Sequence, residues 1–104
     1  MNETEHLLTC LAEEAAEVVQ ACTKALRFGL EDGYPGTGRT NVGDLELECA
    51  HMQAVREMLF DAGVLAVTPA EVLVEKRRKV REHMIYAYKT GALVRPERSR
   101  VPSQ

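Results

Sequence analysis

A chain of 104 residues is one domain, near the lower end of the size at which a single core holds a monomer together, so a partner subunit is expected. Charged residues make up 28% and apolar residues 45%, and the net charge is -3; this is an ordinary globular composition that makes a nucleic acid partner unlikely. No run is long enough to cross a bilayer, and the opening MNETEHLLTC lacks the basic start and long apolar stretch of a signal peptide, so a cytoplasmic protein without a membrane partner is expected.

The first predicted helix starts near residues 2–4, where Asn2 or Thr4 can cap and Glu3 and Glu5 favour the first turn, and it stops near Gly29. Its central stretch, LAEEAAEVVQACTKALRFGL, puts Leu8, Leu11, Ala15, Val18, Cys22 and Leu26 on one stripe. Glu14 and Glu17 stand on the border of that stripe, a turn apart, where two carboxylates can share one cation. Lys24 and Arg27 continue the same edge, so acid is followed by base in a pattern that suits a metal-bound phosphate. The same pattern also complements the helix dipole and, in most proteins, simply meets water.

Residues 31–40, EDGYPGTGRT, form a loop by composition, with Gly33, Pro35, Gly36 and Gly38. The run GTGRT is not a phosphate-binding P-loop, which needs GxxxxGK[ST] after a strand, so a mobile connector is the favoured reading. Tyr34 and Arg39 are the residues of interest if the loop closes over a ligand.

Asn41 is expected to cap a second helix that runs to Ala62 and stops at Gly63. Leu45, Cys49, Met52, Val55, Met58 and Leu59 give it an apolar face. Asp44, Glu48 and His51 fall at offsets of four and three residues, which brings all three to one side and makes them the counterpart of Glu14 and Glu17. Thr68-Pro69-Ala70-Glu71 reads as a capping box with proline at the first helical position, opening a third helix that ends at Gly91. Val72, Leu73, Val80, Met84, Ile85 and Tyr88 are its expected core face. Its basic run EKRRKVREH lacks interleaved aromatics and reads as a solvated face, with Lys76 and Lys79 as candidate phosphate contacts.

Cys10, Cys22 and Cys49 are odd in number and without CxxC spacing, which disfavours disulfides or a zinc knuckle and leaves small buried residues. There is no repeat and no strand-like alternation. The expected fold is all-α, an antiparallel bundle of three main helices completed by oligomerisation, with a domain at 1–93 and a disordered polar tail at 94–104.

With Glu14-Ala15-Ala16-Glu17 on one helix and Glu48-Cys49-Ala50-His51 on the next, the chain resembles the all-α nucleoside triphosphate pyrophosphohydrolases, the MazG-like and dimeric dUTPase-like proteins. The likeness extends over most of the chain, through LLTCLAEEAAEV, KALRFG, AVREML and KVREHMIYAY, and is nearest to small single-domain phage or bacterial members. That family carries an ExxE pair followed by an ExxD pair that together bind magnesium; here His51 stands where aspartate is expected, and the connector between the motifs is long. The resemblance implies hydrolysis of a nucleoside triphosphate to monophosphate and pyrophosphate; separately, a three-helix chain that exposes one long apolar flank is expected to bury it in a homodimer or homotetramer. The resemblance also implies Glu14, Glu17 and Glu48 as catalytic cation ligands, Mg2+ (or Mn2+ or another divalent transition metal) as cofactor, and Lys24, Arg27, Lys79 and Tyr86 as substrate contacts. Either one of the three ligands or Glu13 would orient the attacking water.

Three readings of the altered second motif stand open. His51 ligates a softer metal, or Asp44 supplies the missing carboxylate, or catalytic metal binding is lost and His51 is satisfied locally. The competing functions are a catalytically silent nucleotide- or metal-binding protein and a structural helical oligomerisation module. A helical DNA-binding protein fits the acidic balance least.

Overall fold

The computed structural model describes residues 1–96; the remainder of the expected tail, 97–104, lies outside the described residues. Three helices follow one another, α1 (Glu3–Phe28), α2 (Asn41–Asp61) and α3 (Ala70–Thr90), and the described residues contain no strand. They fall into two compact units, Met1–Val67 and the residues from Thr68 onward.

Local chemistry sets the ends of α1. Asn2 and Glu5 form a reciprocal capping box: the Glu5 amide donates to Asn2 Oδ1 at 2.8 Å and the Asn2 amide donates to Glu5 Oε1 at 3.2 Å. At the other end Gly29 takes φ 96°, a left-handed value that a side chain disfavours, while its amide donates to the Ala25 carbonyl.

The first unit is an antiparallel hairpin. Gly29 meets Asn41 at the loop end, Glu14 meets Glu48 and His51 in the middle, and Leu7 shares a shallow concavity with Met58 at the far end. The α1 side chains turned toward α2 are Leu7, Cys10, Leu11, Glu14, Val18, Ala21 and Ala25, and those of α2 are Val42, Leu45, Glu48, Met52, Val55 and Leu59. Their spacing of three and four residues is that of helices packing at a shallow angle. The predicted stripe on α1 is therefore rotated: Leu8, Ala15, Cys22 and Leu26 point away from this seam and are exposed, as are Cys22 and Cys49 among the expected buried cysteines.

Two predicted caps move by one position. Thr40, not Asn41, caps α2, its Oγ1 accepting from the Gly43 amide at 3.1 Å. Asn41 is inside the helix and buried, donating its Nδ2–H to the Gly29 carbonyl at 2.9 Å across the loop. The Thr68 capping box does not form: Pro69 itself occupies the cap with extended backbone, so Thr68 and Glu71 lose the spacing that reciprocal bonds require. Gly91 ends α3 in a left-handed turn, with the Leu93 amide donating to Ala87 O at 3.0 Å.

In the second unit α3 is one amphipathic helix with a row of ion pairs in which Arg78 bridges Glu75 and Glu82. The expected core face of α3 is not covered there: Val72, Leu73, Val80, Met84 and Ile85 are 42% to 56% exposed, and only Tyr88 is half-buried. Within the second unit α3 is the one helix among the described residues, so that unit supplies no second layer for its stripe. Past the helix, Arg95 stacks on the Tyr88 ring at 4.6 Å, so the start of the tail is tied to the helix end. The sequence also divides by charge: residues 1–67 hold four Lys/Arg against twelve Asp/Glu, and residues 68–104 nine against four, net values of -8 and +5.

Candidate metal centre

The hairpin places two carboxylates and an imidazole together at mid-length. Glu14 lies between Leu11 and Val18 in the α1 seam, and Glu48 lies between Leu45 and Met52 in the α2 seam, so each carboxylate is carried inward by flanking apolar neighbours. His51 follows Glu48 by three residues on the same helix face. Its Nδ1 lies 3.6 Å from Glu48 Oε2 and 3.9 Å from Glu14 Oε2, and one ligand atom from each residue lies within 4.8 Å of the others.

Those separations are too long for hydrogen bonds. They are close to what a shared ion asks for: donors that each stand about 2.1 Å from one centre lie about 3.0–3.4 Å from one another, so small side-chain rotations suffice. The glutamate side chains are 28% and 22% exposed and the histidine 49%, which leaves the cluster open to solvent on its His51 side. Two carboxylates held in a part-apolar seam repel one another, and a cation between them relieves both that repulsion and the loss of hydration.

The remaining candidate residues are distributed differently. Glu17 is one turn further along α1, exposed, and outside the group of converging ligand atoms; Glu13 is exposed as well. Asp44 is engaged elsewhere: its Oδ1 accepts from Arg39 Nη2 at 2.6 Å and from Nε at 3.0 Å. That ion pair, between a loop residue and the first turn of α2, occupies the carboxylate that the sequence offered as a substitute ligand.

Lys24 borders an open concavity of ≈ 570 Å³ at the loop end of the hairpin, together with Phe28, Tyr34, Pro35 and the Arg39–Asp44 pair. Arg27 stacks over the Phe28 ring at 4.8 Å. The loop is anchored at its ends, where the Asn41 amide donates to Asp32 O at 2.7 Å and the Val42 amide to Leu30 O at 2.9 Å. Lys76 and Lys79 line a shallow concavity on α3 with Glu71, Val72 and Glu75, and Tyr86 is 69% exposed; all belong to the second unit. There the Arg78 hydrogen bond holds the Glu75 carboxyl below its ordinary value, and Glu75, with the charge of Glu82, raises Arg78.

Sequence reasoning missed Phe28 as a lining residue and the Arg39–Asp44 pair. The signal for Phe28 was its place immediately before the helix-ending Gly29; the ion pair had only a five-residue separation across a cap to announce it. Comparison with protein-family models, curated proteins and solved structures finds no match for the chain.

Proposed function

We propose that the chain is a metal-dependent nucleoside triphosphate pyrophosphohydrolase whose cation is held by Glu14, Glu48 and His51. The observation that carries this reading is the convergence of these three donors from two helices, with the glutamates drawn into the apolar seam. Two carboxylate oxygens and one imidazole nitrogen fit manganese, cobalt or zinc better than magnesium, which favours an all-oxygen octahedral shell. When bound, such a cation neutralises phosphate charge and lowers the pKa of a coordinated water.

The protein's own groups supply the rest. Glu17, a turn from Glu14 and free in solvent, orients the attacking water as a hydrogen-bond acceptor. Lys24 and Arg27 lie ten and thirteen residues beyond Glu14, so their Cα atoms are about 15–20 Å further along α1, and their long side chains lean back toward the glutamates. They meet the far phosphates or the nucleoside end rather than the metal-bound oxygens. Lys79 and Tyr86 are substrate contacts only as the resemblance implies them. A homodimer or homotetramer is the proposed state.

Pyrophosphate release from a panel of ribo- and deoxyribonucleoside triphosphates, each with magnesium, manganese and cobalt, tests the proposal beside a Glu17→Gln control. Turnover with manganese or cobalt, lost in the control, is expected. Absence of turnover from a folded sample with every metal rejects the enzyme.

One observation favours a second reading, a non-hydrolysing nucleotide- or metal-binding protein. His51 Nδ1 stands within 4 Å of both carboxylates, so the imidazole can serve as their polar neighbour with no catalytic cation between them. Nucleotide or manganese binding without pyrophosphate release distinguishes this reading.

A further inference from the structure

The connector between α1 and α2 is long for the family the sequence resembles, so what it builds belongs to this chain. It is a shaped rim. At its neck Gly33 passes so close to Arg39 that a Cβ there would lie 1.6 Å from the Arg39 carbonyl oxygen, beside the bonds that Asn41 and Val42 return to Asp32 and Leu30. At its tip the Tyr34 carbonyl accepts from the Thr37 amide at 3.2 Å and from Thr37 Oγ1 at 2.7 Å, and Thr37 Oγ1 accepts in turn from the Arg39 amide at 3.2 Å. These bonds close the loop on itself, so its shape is set before a ligand arrives.

The concavity of ≈ 570 Å³ beneath this rim has walls of two kinds. Phe28, Tyr34 and Pro35 are apolar, and the first two are among only five aromatic residues in the chain. Tyr34 is 82% exposed and Phe28 54%, ring area that the hairpin does not itself use. Lys24, Arg39 and Asp44 supply charge. Arg39 directs Nε and Nη2 at the one oxygen Oδ1 of Asp44; among the described residues Oδ2 and Nη1 make no hydrogen bond, so the pair keeps an acceptor and a donor for a ligand. Apolar walls with a few converging polar groups make a small-molecule site, and a planar heteroaromatic ring answers both kinds: its faces suit the aromatics and its polar edge suits the ion pair.

Its place on the hairpin narrows the ligand further. Asp44 and Glu48 share one face of α2 and are four residues, about 6 Å, apart, so the concavity begins one turn from the metal centre. A phosphate held at the cluster therefore has the other end of its molecule at the concavity, with the Lys24 stem leaning back between them. Every residue concerned lies in the hairpin unit.

We infer that the loop-end concavity is a nucleobase site, in which Tyr34 and Phe28 offer their rings to the base and the Arg39–Asp44 pair reads its hydrogen-bonding edge. The inference rests on the nucleotide chemistry proposed for the metal centre, and it gives Asp44 a part in recognition in place of ligation.

Calorimetric titration of the full chain with the four common ribonucleoside 5′-monophosphates and with ribose 5-phosphate, each with and without manganese, tests the site without requiring turnover. At least one monophosphate should bind about 10-fold or more tightly than ribose 5-phosphate, and Tyr34→Ala and Arg39→Ala should each remove that advantage. Both side chains are largely exposed, so the melting temperature should hold. Asp44→Asn, which adds a donor where there were only acceptors, should reorder the four bases. Equal affinity for all five ligands, or none for any, overturns the inference, as does a base preference that all three variants retain. Pyrophosphate release separates this failure from that of the enzyme. Turnover whose ratio of kcat/KM between best and worst base is the same in the parent and the variants rejects the base site alone. Base-dependent binding that the variants lose, without turnover in the parent, keeps the site and rejects the enzyme.

Discussion

Glu14→Leu should make the metal-free protein more stable while removing its response to metal. Glu14 occupies a seam position between Leu11 and Val18, with its side chain only 28% exposed and its carboxylate facing Glu48. Fully burying a leucine contributes about 1.5–3 kcal/mol, and scaling by the part of the site that is covered leaves about 1–2 kcal/mol. Relief of the repulsion with Glu48 acts in the same direction. For a unit of this size each kcal/mol moves the midpoint by about 4–8 °C, so a rise of about 4–16 °C is expected. Thermal unfolding followed by circular dichroism at 222 nm, with chelator and then with manganese, reads both effects. At manganese one hundred times its dissociation constant the unmodified protein gains about 2.7 kcal/mol, a shift of about 10–20 °C, and the variant gains little. A metal-free variant less stable than its parent would refute the reasoning, because Glu14 would then be making net stabilising contacts. An equal manganese shift in both proteins would remove Glu14 from the site.

Asn41→Ala should cost about 1 kcal/mol by deleting the buried bond to the Gly29 carbonyl, seen as a lower urea midpoint at unchanged slope. Gly33→Ala should displace the loop, since a Cβ there would lie 1.6 Å from the Arg39 carbonyl oxygen, and amide exchange should quicken at Asn41 and Val42 while the midpoint of α1 is preserved. Glu75 should titrate below an ordinary glutamate by carboxyl-carbon NMR and return to the ordinary range in Arg78→Gln. Because its folded value is depressed, the support this pair lends to α3 is present above the unfolded value near 4.5 and is lost as pH falls through the folded one. Helicity rising on acidification through that window would contradict the assignment.

Much of the local architecture was legible before any tertiary contact. The Asn2–Glu5 box, the glycines at 29, 63 and 91 and the uninterrupted helical periodicity are short-range signals, and they set the three helices to within a residue or two. Glu48 and His51 were legible as a pair because one helix turn carries them both.

What a single chain cannot announce is which of two equivalent faces meets a neighbour. The α1 helix has apolar residues on adjacent seams 100° apart, and only packing against α2 decides that Leu7, Leu11 and Val18 face inward while Leu8, Val19 and Leu26 do not. That one rotation carries Glu14 into the seam and leaves Glu17 in solvent. The same limit governs Asp44, whose carboxylate looked available until the loop returned Arg39 to it, and Pro69, whose extended backbone cancelled the box that Thr68 promised. Propensity and capping act over three or four residues and so are written in the sequence; which side chains converge across a helix pair depends on a rotation that only packing sets.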